Sequence, residues 1–147
     1  MKLSTKSTYG LRAMVNIAAN GSGTATSIAE ISKEDGISAA YLEQLMNKLR
    51  RKGLIESIRG PKGGYVLSRD AAKITVGDIV KTLEGDIYPV SCITNKKDLI
   101  NSCKSNKNCV SKIVWHKLAK AISDCLESVT LEDLRDEAQR ISRNSSR

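Results

Sequence analysis

Apolar residues recur at helical spacing in six stretches of the chain. The clearest stripe is in the third stretch, where Ser38 is an expected N-cap and apolar residues follow at i, i+3, i+4 and i+7. That stripe consists of Leu42, Leu45, Met46 and Leu49. The remaining helices are predicted over residues 7–19, 27–36, 75–85, 109–127 and 130–141.

Between the third and fourth helices the pattern changes from helical to extended. Residues 54–59 and 65–67 are short runs rich in β-branched or aromatic side chains, and residues 60–64 separate them. Glycine and proline supply the backbone angles of a hairpin tip, and Pro61 lacks the N–H that a strand ladder needs. The order helix, short helix, capped helix and hairpin predicts a winged helix-turn-helix. The fold class is therefore mainly α with a small β-hairpin wing, plus a long C-terminal helix.

These patterns divide the chain into a winged helix-turn-helix domain and a C-terminal part. The predicted boundaries are 1–85 for the domain, 86–108 for a polar irregular segment, 109–141 for the long helix with a short terminal helix, and 142–147 for a frayed tail. An irregular segment as long as 86–108 is usually functional or disordered. The long helix would span roughly 28 Å and needs a partner for its apolar stripe.

Charge adds a candidate partner to this picture. The chain of 147 residues has a formal charge of +8, and residues 1–75 hold 12 basic and 6 acidic side chains, against 12 and 10 in residues 76–147. An excess of basic residues concentrated in one half indicates that the binding partner is a polyanion such as nucleic acid, although a solvated charged surface would also account for it. Aromatic residues are only 3% of the chain, which argues against a stacking platform for single strands.

The chain shows no sign of a membrane or a secretory route. No apolar run approaches the ~20 residues of a membrane span, and the N-terminal residues lack the apolar core of a signal peptide. We therefore expect a cytoplasmic protein without a membrane partner. In that reducing compartment, cysteines are expected as thiols or metal ligands rather than disulfides.

The outward side of the third helix carries polar residues suited to a major groove. Glu43 is informative, because a carboxylate repels phosphate yet accepts a hydrogen bond from cytosine N4; the alternative is an ordinary exposed glutamate. Lys48, Arg50, Arg51 and Lys52 end the same helix. Cations there complement the helix dipole, but four within five residues exceed that need. An arginine on a slim wing tip suits a narrow minor groove. The candidate DNA-binding residues are Ser38, Tyr41, Glu43, Gln44, Arg50, Arg51, Arg59 and Lys62.

Three of the four cysteines, Cys92, Cys103 and Cys109, lie in or beside the irregular segment. Lysines accompany them at positions 96, 97, 104 and 107. Nearby cations and a helix start at Cys109 are both expected to lower the thiol pKa and favour the thiolate, the metal-ligating form. The spacing is not that of a zinc CxxC pair. Cys125 falls on the apolar stripe of the long helix and is expected to be a small buried hydrophobe.

Four segments of the chain resemble the Rrf-two type of bacterial winged-helix regulators. They are MKLSTKSTYGLRAM, GISAAYLEQLMNKLRRKGLIESIRGPKGGYVLSRD, ITVGDIVKTLEG and TLEDL, and the pattern is most similar to the iron–sulfur cluster regulators of that family. The resemblance implies a homodimer joined by long C-terminal helices, with double-stranded operator DNA bound by the third helix and wing. It implies recognition-helix contacts from Ser38, Tyr41, Glu43, Gln44 and Arg50, and a wing contact from Arg59.

The resemblance also implies that 86–108 is a sensor loop. Cluster-binding members carry three cysteines there, and the CVSKIVW motif places Cys109 at the third position. The fourth ligand of some members, a histidine, corresponds to Lys112 here, and that of others, an N-terminal aspartate, corresponds to Thr8. His116, a carboxylate, a partner-subunit residue and an exogenous thiol or water therefore remain open as the fourth ligand. A 2Fe–2S cluster is expected rather than a 4Fe–4S cluster.

The leading hypothesis is a homodimeric DNA-binding transcription regulator that senses iron–sulfur cluster status, or redox or nitrosative stress, through a cluster bound by the loop. The alternatives are a thiol or zinc sensor without a cluster and a cysteine-metabolism regulator that acts through a partner protein. An enzyme is not expected. The chain has one histidine, and it lacks both a CxxC redox pair and a phosphate-binding glycine loop, so its sequence shows no catalytic constellation.

Overall fold

The computed structural model describes residues 3–94, 103 and 106–147. Its helices are α1 Thr5–Ala19, α2 Ile28–Asp35, α3 Ala39–Arg51, α4 Val76–Glu84, α5 Lys112–Ser128 and α6 Leu131–Ser145. Strands β1 Ile55–Ile58 and β2 Gly64–Leu67 form an antiparallel hairpin between α3 and α4. Short 3-10 turns occupy Ala71–Lys73, Ser91–Ile93 and Asn106–Asn108. This element order confirms the predicted fold class.

The helix starts follow from local hydrogen bonds that the sequence predicts. The Ser27 hydroxyl accepts from the backbone N–H of Glu30, whose carboxylate accepts from the Ser27 N–H, which completes a capping box. The Ser38 hydroxyl accepts from the Tyr41 N–H and caps α3 as expected. Helix α1 begins two residues before the predicted start, because Ser4 caps it.

The apolar stripe of α3 lies at the centre of the core. Its four residues, Leu42, Leu45, Met46 and Leu49, are each at most 1% exposed. They pack with buried residues of α1 and α4, among them Met14, Ile17 and Ile79. Burial of one side leaves the other side of α3 to the solvent.

The wing is joined to the start of α2 by backbone hydrogen bonds. Its register pairs Ile55 with Leu67 and Ile58 with Gly64. Beside it, Thr26 exchanges two backbone hydrogen bonds with Tyr65, both of 2.9 Å. At Gly64 φ is +152°, and an added Cβ would lie 2.3 Å from the carbonyl oxygen of Thr26. Only glycine allows this close approach of wing and domain.

The C-terminal helices return to the same core. The Val76 N–H donates to the Val129 carbonyl at 2.9 Å, and the Leu131 N–H donates to the Ile74 carbonyl at 2.8 Å. The Leu131 side chain is fully buried. Helix α6 extends to Ser145, four residues past the predicted end of the terminal helix.

Helix α5 exposes one apolar side. It begins at Lys112 rather than at Cys109, which corrects the predicted start. Three of its apolar residues are widely exposed, namely Ile113 (62%), Val114 (56%) and Leu118 (40%). Cys125 is also exposed in the single chain, so its prediction as a buried hydrophobe is wrong here. Within the described part of the chain, no helix combines the length and apolar character needed to cross a membrane.

Burial of Leu131 predicts that α6 stabilises the winged helix-turn-helix domain. Leu131→Ala should lower the free energy of unfolding by about 2–4 kcal/mol, since it leaves a cavity in the core. Ile141→Ala, on the same helix at a side chain 54% exposed, should change it by less than about 0.5 kcal/mol. Urea unfolding followed by circular dichroism, at one protein concentration, measures both. Equal small losses would show that α6 does not contribute to the core.

Candidate nucleic-acid interface and thiol site

The structure places the predicted reading residues of α3 at the surface. Ser38, Glu43, Gln44 and Arg50 are exposed, and Tyr41 is half-buried. Glu43 and Gln44 lie on the side of the helix away from the buried leucine stripe, whereas Tyr41 packs against the edge of the core. A helix with this polar outward side has the form that a major groove admits.

Tyr41 is held by two residues of α1. Its hydroxyl lies 3.0 Å from the Thr5 hydroxyl. The ring of Tyr9 meets the Tyr41 ring edge to face, with centroids 6.0 Å apart and planes at 85°, a favoured aromatic geometry. The first turn of the reading helix is therefore in contact with the first two turns of α1.

The basic end of α3 is not neutralised within the chain. Lys48, Arg50, Arg51 and Lys52 are all exposed. Across the described residues, none of these four forms an ion pair with a carboxylate. Arg50 makes a long hydrogen bond of 3.4 Å to the Asn47 amide oxygen. These cations are available to an external anion such as a phosphate.

The wing tip carries the other two predicted cations. Arg59 and Lys62 are exposed on either side of Gly60 and Pro61. The Gly63 N–H closes the turn by donating to the Gly60 carbonyl at 2.9 Å. The tip is narrow, and in the described chain its two cations also lack a carboxylate partner.

Glu84, the last residue of α4, holds the start of α1, a contact that the sequence analysis did not predict. Its Oε1 accepts from the Ser4 backbone N–H at 2.8 Å, from the Ser7 hydroxyl at 2.9 Å and from the Ser4 hydroxyl. Hydrogen bonds from Ser4 are the main reason that the pKa of Glu84 lies below its usual value. The residues are about 80 apart in sequence, so no local pattern could indicate the contact.

The three loop cysteines are half-buried free thiols. Cys92 lies in the turn Ser91–Ile93, and Cys109 lies three positions before the first residue of α5. The Cys109 sulfur lies 2.9 Å from the Ser111 hydroxyl. That hydrogen bond is the largest cause of a lowered pKa at Cys109, and the charge of Lys112 contributes least. The direction of the predicted shift is confirmed, but its main cause is a serine.

The described residues do not gather a complete metal site. Over 3–94, 103 and 106–147, no group of three or more histidine, cysteine or carboxylate side chains is close enough to hold a metal ion. His116 is exposed on α5. Of the lysines predicted around the thiols, Lys107 is exposed, and those at 96, 97 and 104 lie outside the described residues. The donor types suit an iron–sulfur cluster.

The fold and the surface of α3 define a winged helix-turn-helix regulator. Residues 3–137 match the Rrf2 family, described as "Iron-dependent Transcriptional regulator". The chain belongs to this family, as its sequence resemblance predicted. It is a DNA-binding transcriptional regulator and not an enzyme.

Named relatives agree with this assignment. The chain is 34% identical over 134 residues to "HTH-type transcriptional regulator IscR" of Escherichia coli, and the match covers 91% of this chain and 80% of the relative. The structure of CymR, the global cysteine regulator of B. subtilis, is 38% identical with a TM-score of 0.73 and covers 93% of this chain and 98% of that one. The T. potens IscR structure is 37% identical with a TM-score of 0.74 and covers 94% and 88%.

Proposed function

We propose that the protein is a homodimeric regulator that reads operator DNA with the outward side of α3 and with the wing. The observation that carries this proposal is the burial of the α3 leucine stripe, which fixes the polar residues outward beside an unneutralised basic helix end. The proposed contacts are those of Ser38, Tyr41, Glu43, Gln44, Arg50, Arg51, Arg59 and Lys62. We place this activity in the cytoplasm.

The two kinds of side chain have different roles in this proposal. Glu43 can accept a hydrogen bond only from a base with an exposed amino group, such as cytosine, and it repels the phosphates on either side. Arg59 and the cations at the end of α3 bind phosphate or a narrow minor groove, and so supply affinity. Sequence preference and affinity should therefore respond to different substitutions.

Glu43→Ala should relax the base preference while non-specific binding stays equal or rises, because an anion that repels phosphate is removed. Selection of duplexes from a randomised pool, followed by sequencing, measures the preference. Glu34→Ala, which removes an exposed carboxylate from α2, is the control. An unchanged selected sequence with Glu43→Ala would refute base reading by Glu43.

Arg59→Ala should weaken binding to the selected duplex by ~1–3 kcal/mol, and Arg143→Ala on α6 should not.

The homodimer rests on the apolar side of α5. Val114 and Leu118 are one turn apart, and Ala121 and Cys125 continue the exposed side of the helix. An exposed stripe of this length on a small domain is typical of an interface. A second copy of the same helix satisfies it, since a two-fold dimer pairs identical surfaces.

Leu118→Glu should convert the protein to a monomer, because it places a charge in the proposed seam. Sedimentation equilibrium measures the mass. Ile141→Glu introduces the same charge at another exposed apolar residue and should leave the dimer intact. A wild-type protein that sediments as a monomer, or a Leu118→Glu variant that remains dimeric, would contradict the proposed seam.

We further propose that Cys92, Cys103 and Cys109 hold an iron–sulfur cluster, with a 2Fe–2S form preferred. Three thiols suit such a cluster, and the serine bond at Cys109 favours the thiolate that would bind iron. The family's iron-dependent description supports the same choice of metal. The fourth ligand is unassigned, and His116 is one candidate. When bound, the cluster would supply a redox-sensitive and stress-sensitive group.

A cluster-free thiol or zinc sensor, or a cysteine regulator acting through a partner protein, is the second candidate function. It is favoured by the structures of B. subtilis CymR and of the oxidized form of Staphylococcus aureus CymR, which are 38% and 37% identical to this chain, as similar as the IscR structure. In this function the low pKa of Cys109 would favour its oxidation.

Anaerobic reconstitution with iron and sulfide separates these functions. The cluster proposal expects a coloured protein with about two iron ions per chain. Cys92→Ser, Cys103→Ser and Cys109→Ser should each lose colour and iron. Cys125→Ser, at an exposed cysteine of α5, should keep both. A colourless protein with less than one iron per dimer would contradict the cluster and favour the thiol or zinc sensor.

A further inference from the structure

We propose that Thr5 is a positioning residue for DNA reading, because it fixes the hydroxyl of Tyr41, and that Glu84 acts in turn by holding the helical turn that carries Thr5. This inference rests on the proposed function, in which Tyr41 contacts the operator. It adds to the reading surface two residues that lie outside both the α3 helix and the wing.

Tyr41 is supported at two points. Thr5 and Tyr9 are four residues apart on α1 and so lie on one side of that helix. Thr5 contacts the Tyr41 hydroxyl at 3.0 Å, and the Tyr9 ring contacts the Tyr41 ring. A tyrosine held at both its ring and its hydroxyl loses less rotational freedom when it binds DNA, so its contact is stronger.

The Tyr41 hydroxyl retains hydrogen-bonding capacity after its contact with Thr5. A phenol has one donor and can also accept, and a threonine hydroxyl can be either partner. When Thr5 donates, the Tyr41 proton is free for an acceptor such as a phosphate oxygen. Valine at position 5 has nearly the same shape and cannot form this bond, so it isolates the effect of the hydroxyl.

Glu84 determines where Thr5 lies. The first N–H groups of a helix have no partner within the helix, and an uncapped first turn frays. Ser4 caps α1 by accepting from the Lys6 N–H at 3.2 Å, and Glu84 fixes Ser4 through its N–H and its hydroxyl. Ser7, which is 3% exposed, donates to the same carboxylate oxygen. The turn that holds Thr5 is therefore anchored to α4 on both sides of Thr5.

A double-mutant cycle tests the contact between Thr5 and Tyr41. The probe is a fluorescent duplex selected by the wild-type protein from a randomised pool, and anisotropy gives the dissociation constant. Thr5→Val and Tyr41→Phe should each weaken binding about 3- to 10-fold. The double variant should bind no more weakly than Tyr41→Phe alone, because Thr5 acts only through that hydroxyl. Thr8→Val, whose hydroxyl bonds to the Thr5 carbonyl, should stay within about twofold of the wild type.

The outcomes are distinct. The positioning role is wrong if Thr5→Val binds the duplex like the wild type. It is also wrong if the affinity loss of the double variant equals the product of the two single losses, even though the protein reads DNA. If the wild-type protein selects no duplex at all, the proposed function fails and this inference fails with it. Circular dichroism of each variant separates a loss of contact from a loss of folding.

Glu84→Gln tests the second step. It keeps the size of the side chain but removes the negative charge from the group whose oxygen accepts three hydrogen bonds from Ser4 and Ser7. Those bonds become weaker, so the affinity for the duplex should fall about 3- to 10-fold. In the Tyr41→Phe background the same substitution should have an effect of less than about twofold. An equal loss in both backgrounds would show that Glu84 does not act through Tyr41.

Discussion

Burial of one side of α3 is the constraint on which the rest of the molecule depends. Its four stripe residues are almost completely removed from water, so rotation of the helix about its axis would expose apolar surface and bury charge at a large cost. The identity of the outward residues is thereby settled by the core rather than by DNA. Glu43 and Gln44 are presented before any ligand arrives, which limits the ordering that binding requires.

The same core extends to the C-terminal end of the chain. Leu131 enters it from α6, and backbone hydrogen bonds join the 129–131 turn to residues 74–76. A separate dimerisation unit attached by a free linker would lack such contacts. The end of α5 is therefore positioned by the DNA-binding domain.

The sequence predicts those features that depend on neighbouring residues. Caps at Ser27 and Ser38, the α3 stripe and the hairpin each follow from side chains a few positions apart. The α5 start and the cause of the Cys109 pKa shift were predicted less well, because residues 109–111 form a turn in which Ser111 contacts the thiol. The contact of Glu84 with Ser4 joins elements that are distant in sequence and has no local pattern.

Helix α4 limits how a signal can change the spacing of two reading helices in the proposed dimer. Its side chains contact α5 through the Lys81–Glu127 ion pair of 2.6 Å, and Gly77 lies so close to Glu127 that an added Cβ would be 2.9 Å from Glu127 Cγ. The exposed ion pair contributes little to stability. The Val76–Val129 backbone hydrogen bond and the buried Leu131 side chain also join the two parts. The DNA-binding domain and the end of α5 should therefore move as one body. In the proposed dimer, a change in half-site spacing would then arise at the seam between the two α5 helices.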